Sequence, residues 1–432
     1  MGRSHRSGLT ETGSTWTPAA GGVRGRRSWC IVPRTLGFIC GIVLLTACAG
    51  GDDRGAGSPL LDKSASTMEE VEPQRGGVPL PPPASLPATD LSQHIVPLAD
   101  IHFDTFDGRS IPLSEATSTE IEALRDRIPP IEQPVYVAAA DIDILADEDL
   151  ILGYVTDSGQ AYAYPVKILN FHEIVNERFE GVPLVVTYCP LCRSGVVYDR
   201  RLDGRELTFG NTSALYDNDM VMYDHQTNSY WWHVAGRAIV GELSRGELEP
   251  LASSMSTWSD WVARHPKTWV LSTDTGYSRP YDREPFAGYR ESVNAGRRPF
   301  PDAEASRTDD RLDDGEEIVG VVLAGRARAY PLRMLGDSAV NDELAGLPLV
   351  VFTRSEGPTG TVFERRLDGE ELTFVLEGGR YRDEQTNSIW NIDGRAVEGP
   401  LTGSRLEPVP SRSSFWFAFA ASFPDTDVFS RP

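Results

Sequence analysis

Residues 170–199 read NFHEIVNERFEGVPLVVTYCPLCRSGVVYD, and the way this stretch is parsed decides the fold. The apolar run at 183–188, Pro-Leu-Val-Val-Thr-Tyr, is short and bounded by turns, which predicts a buried strand. Cys189-Pro190-Leu191-Cys192 then makes a tight turn, and 195–200 reads as a second strand. Upstream, 166–178 has helical character after Pro165, and it carries His172. A CxxC turn sets two sulfurs side by side. As thiolates they clamp a soft or borderline metal, and as thiols they cycle to a disulfide.

Outward from this stretch, the same phrases occur twice. ILGYVTDSGQAYAYPVKILNF at 151–171 is echoed by IVGVVLAGRARAYPLRML at 318–335. GVPLVV returns as GLPLVV, and DRRLDGRELTF as ERRLDGEELTF. The octet from Asp224 to Trp231, DHQTNSYW, returns as DEQTNSIW from Asp383 to Trp390. The order is kept throughout, the mark of a duplicated unit. Each unit reads as a hairpin (turning at Asp157-Ser158-Gly159 in the first), a helix, the strand–turn–strand, and a hairpin turn at Leu202-Asp203-Gly204-Arg205. Strands near 220–223 and 230–234 and a short helix at 256–265 close it. The expected class is α+β: two tandem, pseudo-equivalent β-rich units with short helices, after a disordered N-terminal tether. A lead-in segment and the first unit fill 93–275, 276–317 is a linker or long loop, and 318–432 is the second, degenerate unit.

The two units act as controls for each other. Aligned through Pro183 and Pro348, Cys189 falls on Arg354 and Cys192 on Gly357. Aligned through Asn176 and Asn341, His172 falls on Asp337, and His225 falls on Glu384. Features kept in both units, such as Tyr164-Pro165, Asn176 and the DxQTNSxW octet, point to architecture: turn punctuation and core filling. Features held only by the first point to chemistry. Cys189, Cys192 and His172 are therefore the candidate metal ligands, with zinc or copper as the ion. His225 and His233 are further candidate ligands, and Glu173 and Asp224 are candidate acid–base groups. The plainer reading of His172 alone is a surface histidine on a helix.

Before the repeats, Arg24, Arg26, Arg27 and Arg34 precede an apolar run at 36–45 that ends Leu-Thr-Ala-Cys48. This is the pattern of a secretory leader over 1–48, ending like a lipobox with Cys48 as the lipidated residue. Residues 49–92 are dominated by Gly, Pro, Ser and acids, and read as a disordered tether. The expected location is therefore the bacterial cell envelope, with the membrane as partner through an N-terminal lipid. A net charge of −22 argues against nucleic acid, which requires a basic footprint. With Cys30 and Cys40 removed in the leader and Cys48 lipidated, Cys189 and Cys192 are the thiols left to an exported chain.

At TYCPLC the chain resembles a bacterial family known as a domain of unknown function, DUF3179. The resemblance rests on Tyr164-Pro165, the HEIVN of 172–176, the TYCPLC of 187–192, Met222-Tyr223-Asp224 and Gly236. It implies exported or membrane-associated bacterial proteins and brings no activity or substrate with it. Three functions stay open at this point: a Cys/His metal site, a periplasmic thiol–disulfide protein using the CPLC pair, and a structural or interaction lipoprotein with a local disulfide. The redox reading lacks the helix that follows a thioredoxin-type CxxC. The structural reading gains little, because so small a disulfide loop constrains the unfolded chain weakly.

Overall fold

The computed structural model describes residues 85–302 and 309–430, together with the backbone of Gln74–Arg75. The expected leader with Cys48, and most of the tether, lie outside the described residues. Sheets carry the fold. The longest helices among the described residues, such as Val166–His172 and Trp416–Ser422, have seven residues each. None is long and apolar enough to cross a membrane.

Ile174–Phe179, Val182–Cys189 and Ser194–Asp199 form three successive antiparallel strands. The helix expected over 166–178 therefore ends at His172. Glu173 takes a left-handed conformation (φ 59°) and turns the chain, and β-branched Ile174 and Val175 start a strand instead. Glu180 (φ 51°) and Gly181 (φ 84°) then make the two-residue hairpin turn that the helical reading passed over. Val182–Cys189 is buried along nearly its whole length, which is why it reads as a continuous apolar run rather than an alternation.

These strands are part of an eight-stranded sheet that continues through Arg412–Phe415, Glu317–Leu323, Arg326–Pro331 and Asp427–Val428. Ser413 pairs with Gly195, so strands far apart along the chain share one sheet. A six-stranded sheet holds Phe209–Tyr216, Asp219–Asp224 and Tyr230–Trp232. A core cluster containing Cys189 and Cys192 draws Met220, Met222 and Trp231 from that sheet, and Phe415 and Trp416 from the C-terminal region. Residues 276–317, expected as a linker or loop, contain the helix Tyr289–Asn294 and bury Tyr281 and Val293.

Several local devices occur at two places. The Asn176 amide donates to Phe209 O (2.8 Å) and accepts from Phe209 N (2.9 Å), and Asn341 does the same with Phe374 (2.7 and 2.8 Å). Each clamps a strand to the next hairpin with one donor and one acceptor, so no buried amide group is left unpaired. Gly153 and Gly320 each lie under an aromatic ring of a later helix. A Cβ on Gly153 would sit 2.2 Å from Trp261, and one on Gly320 2.0 Å from Phe419. Gly320→Ala is expected to destabilise the protein by about 3 kcal/mol, since the buried Phe419 ring must move in a packed core. Urea unfolding checks this, and a midpoint unchanged from the parent protein would contradict the packing.

Candidate metal centre

Cys189 ends the strand Val182–Cys189, and Cys192 lies in the turn before Ser194–Asp199. Both are free and almost fully buried. Asp219, at the start of Asp219–Asp224, meets them from the neighbouring sheet: the Cys192 thiol donates to Asp219 Oδ1 at 3.0 Å. One ligand atom from each of Cys189, Cys192 and Asp219 lies within 4.8 Å of the others, all three buried. Burial pushes the Cys189 thiol up. Burial pushes the Cys192 thiol well up too, and the neighbouring sulfur and carboxylate add to it. Two thiols are thus held beside a carboxylate in a dry place, where burial disfavours the thiolate form of each.

The Asp219 carboxylate is held from behind. Its Oδ2 accepts the Val234 N–H at 2.8 Å, and its Oδ1 lies 3.1 Å from His233 Nδ1. His233 Nε2 is 2.8 Å from Thr187 Oγ1, whose own proton goes to Val196 O at 2.8 Å. Thr187 therefore accepts, and Nε2 carries a hydrogen. Nδ1 then faces a carboxylate oxygen, which is favourable only if a proton lies between the two. Ser194 Oγ bridges to the same nitrogen at 3.1 Å and to Cys192 Sγ at 3.0 Å. The backbone of this loop is pinned by Tyr198, whose hydroxyl donates to His233 O at 2.7 Å. Gly236 lets that ring approach, since a Cβ there would stand 2.7 Å from it.

Glu173 joins the group from the turn after the helix. Its carboxylate accepts from Asn211 Nδ2 at 2.7 Å, and burial pushes its pKa up to about 8. Its left-handed backbone is a strained conformation for a residue with a side chain, of the kind that collects at functional sites.

The residues singled out from sequence thus part company. Cys189, Cys192, Glu173 and His233 gather in one region. His172 does not ligate with the sulfurs. Its Nδ1 lies 2.8 Å from Pro129 O and its Nε2 2.6 Å from Tyr281 Oη, so both ring nitrogens are taken. The carbonyl can only accept, so Nδ1 donates and Nε2 accepts from the tyrosine, leaving no lone pair for an ion. Its burial locks the junction between the helix and 276–317. Asp224 is a structural acceptor: Thr227 N (2.6 Å), Ser229 N (3.1 Å) and Trp231 Nε1 (3.0 Å) all donate to it. Asp383 repeats this with Thr386 N (2.6 Å) and Trp390 Nε1 (2.9 Å). His225 lies in another cleft, described below.

Sequence reading overlooked Asp219, Ser194 and Thr187. Counting back from Asp224 and Asp383, Asp219 falls on Gly378; counting forward from Trp231 and Trp390, His233 falls on Ile392. The comparison that marked the cysteines would have marked these two as well.

Fold and site together define a β-rich protein with a buried group of two thiols and a carboxylate at a sheet junction. The chain belongs to the family described as "Protein of unknown function (DUF3179)", which matches residues 125–426. That span takes in every member of the buried group. No curated protein and no solved structure matches the chain.

Proposed function

We propose that this is an exported, lipid-anchored protein that binds one zinc or copper(I) ion through Cys189, Cys192 and Asp219. The observation that carries the reading is the buried convergence of three ligand atoms within 4.8 Å. Burial and the neighbouring acid groups disfavour both thiolates, and a bound metal cation would offset that cost. Two sulfurs and an oxygen suit zinc, and two sulfurs suit copper(I). Three protein ligands leave a fourth zinc position open. A cleft of about 210 Å³ lined by Tyr188, Pro190, Arg193 and Tyr289 abuts the CPLC turn and offers an approach. The pair is poorly suited to thiol exchange: it sits between two strands with no helix N-terminus, and burial keeps both thiols protonated.

The architecture behind this reading is a duplicated unit whose second copy lacks the site. The matched Asn176 and Asn341 clamps, the matched Asp224 and Asp383 caps, and Gly153 and Gly320 under their aromatic rings support it. In the second unit Arg354 replaces Cys189 and is paired with Asp260 at 3.1 Å.

Purified full-length protein is expected to hold close to one equivalent of zinc or copper, and Cys189→Ser to hold less than about a tenth of that. Elemental analysis after dialysis decides it, and a metal-free parent protein would sink the reading. Because both thiols must lose protons to bind, affinity is expected to fall as the solution is acidified.

A further inference from the structure

A second cleft, of about 680 Å³, shares no lining residue with the cysteine group. Its wall includes Tyr223 and His225, the Arg125-Asp126 pair after the helix Ser118–Leu124, and the strap 85–91. His225 is 3% exposed, and neither of its ring nitrogens has a hydrogen-bond partner. The other two buried histidines among the described residues, His172 and His233, have both nitrogens engaged. A buried imidazole with two idle nitrogens is unusual enough to call for a missing partner. Burial, and then the nearby Arg125, push the His225 pKa down to about 4, so the ring is neutral and able to accept near neutral pH.

Three carboxyl groups, Glu122, Asp126 and Glu132, line the same cleft, and among the described residues none of them forms an ion pair. Asp126 is fixed in place: Tyr223 Oη donates to its Oδ2 at 2.6 Å and Asn211 N to its Oδ1 at 2.9 Å. Burial pushes both the Asp126 and Glu132 carboxyls up, and Asp126 adds to the effect on Glu132. Among the described residues Arg125 is the one cation that lines the cleft, and it is turned to other work. It sits 5.0 Å over the Tyr223 ring and reaches Asn228 Oδ1 at 3.4 Å.

We propose that this cleft binds a small organic ammonium ion, held by the carboxylates of Asp126 and Glu132 and backed by the His225 imidazole. Three acids against one engaged guanidinium disfavour an anionic ligand. A bare metal ion is disfavoured by spacing: among the described residues only Cys189, Cys192 and Asp219 bring three ligand atoms within 4.8 Å. The volume lies in the range of small-molecule sites, and the tyrosine walls suit the alkyl part of an amine.

The test uses full-length protein with 1,5-diaminopentane and, as its opposite in charge and equal in length, glutarate. Binding is read by saturation-transfer NMR at matched ionic strength. The protein is acidic overall, so variants separate the cleft from general attraction. The diamine is expected to bind and glutarate not. Affinity is expected to fall at least tenfold in Glu132→Gln and in His225→Gln, and to stay unchanged in Glu370→Gln, which removes an exposed carboxylate elsewhere. Thermal midpoints within a few degrees of the parent's confirm that the variants fold; Asp126→Asn replaces either one that does not. Diamine binding that is equal in all variants, glutarate binding as tight as the diamine's, or no diamine binding at millimolar concentration would each overturn the proposal.

Discussion

Asp219→Ala is expected to abolish metal retention and to lower the stability of the fold by about 3–5 kcal/mol. The side chain is fully buried, and it answers three groups at once: the Cys192 thiol, His233 Nδ1 and the Val234 N–H. Removing it leaves His233 Nδ1 without its carboxylate partner and the Val234 N–H without an acceptor, at a fully buried position. Breaking a buried pair from one side costs more than the pair contributes, because the remaining partner keeps its desolvation penalty. Asp219→Asn separates the two roles. It keeps the volume and one carbonyl for Val234 but removes the ligand charge, so metal content should fall to the same low level while the loss of stability is smaller. Chemical unfolding with elemental analysis on both variants checks this. Full metal occupancy in Asp219→Ala would remove the carboxylate from the ligand set.

The second large effect concerns pH. In the folded protein burial raises the Glu173 pKa to about 8, against an ordinary value of 4.5. A carboxyl raised on folding binds its proton more tightly in the native state than in the unfolded one. The protein therefore has the full benefit below pH 4.5 and loses it progressively as pH rises through about 8. A difference of this size corresponds to an effect of the order of 4 kcal/mol. Metal-stripped protein is expected to lose stability over this window, and Glu173→Gln, which mimics the protonated form, to flatten the profile. Urea midpoints between pH 5 and 8.5 provide the measurement. Equal slopes in parent and variant would mean that Glu173 ionises without penalty and lies outside the buried acid group.

Much of the strand framework was legible along the chain. The hairpin at 157–159 is present, with Leu150–Val155 paired to Ala161–Pro165. So is the turn at Asp203-Gly204, where φ is 49° and 77°. Such turns are local, because a positive φ favours Asn, Asp or Gly at a fixed place. The misreading at 166–178 came from the same locality. The helical pattern was real up to His172, and Glu173, not a usual residue for a left-handed turn, gave no signal that the chain would reverse.

Sequence by itself determined the family, the β-rich class and the two cysteines as the centre of interest. A CxxC is a local arrangement: covalent connectivity alone brings its sulfurs near each other. The rest of the site is not local. Asp219 meets the Cys192 thiol, and His233 meets Asp219, only through tertiary packing that brings the start of Asp219–Asp224 to the CPLC turn, and no spacing in the chain encodes that meeting. The same tertiary packing took His172 away, since Pro129 and Tyr281, brought in from opposite directions along the chain, satisfied both of its nitrogens first.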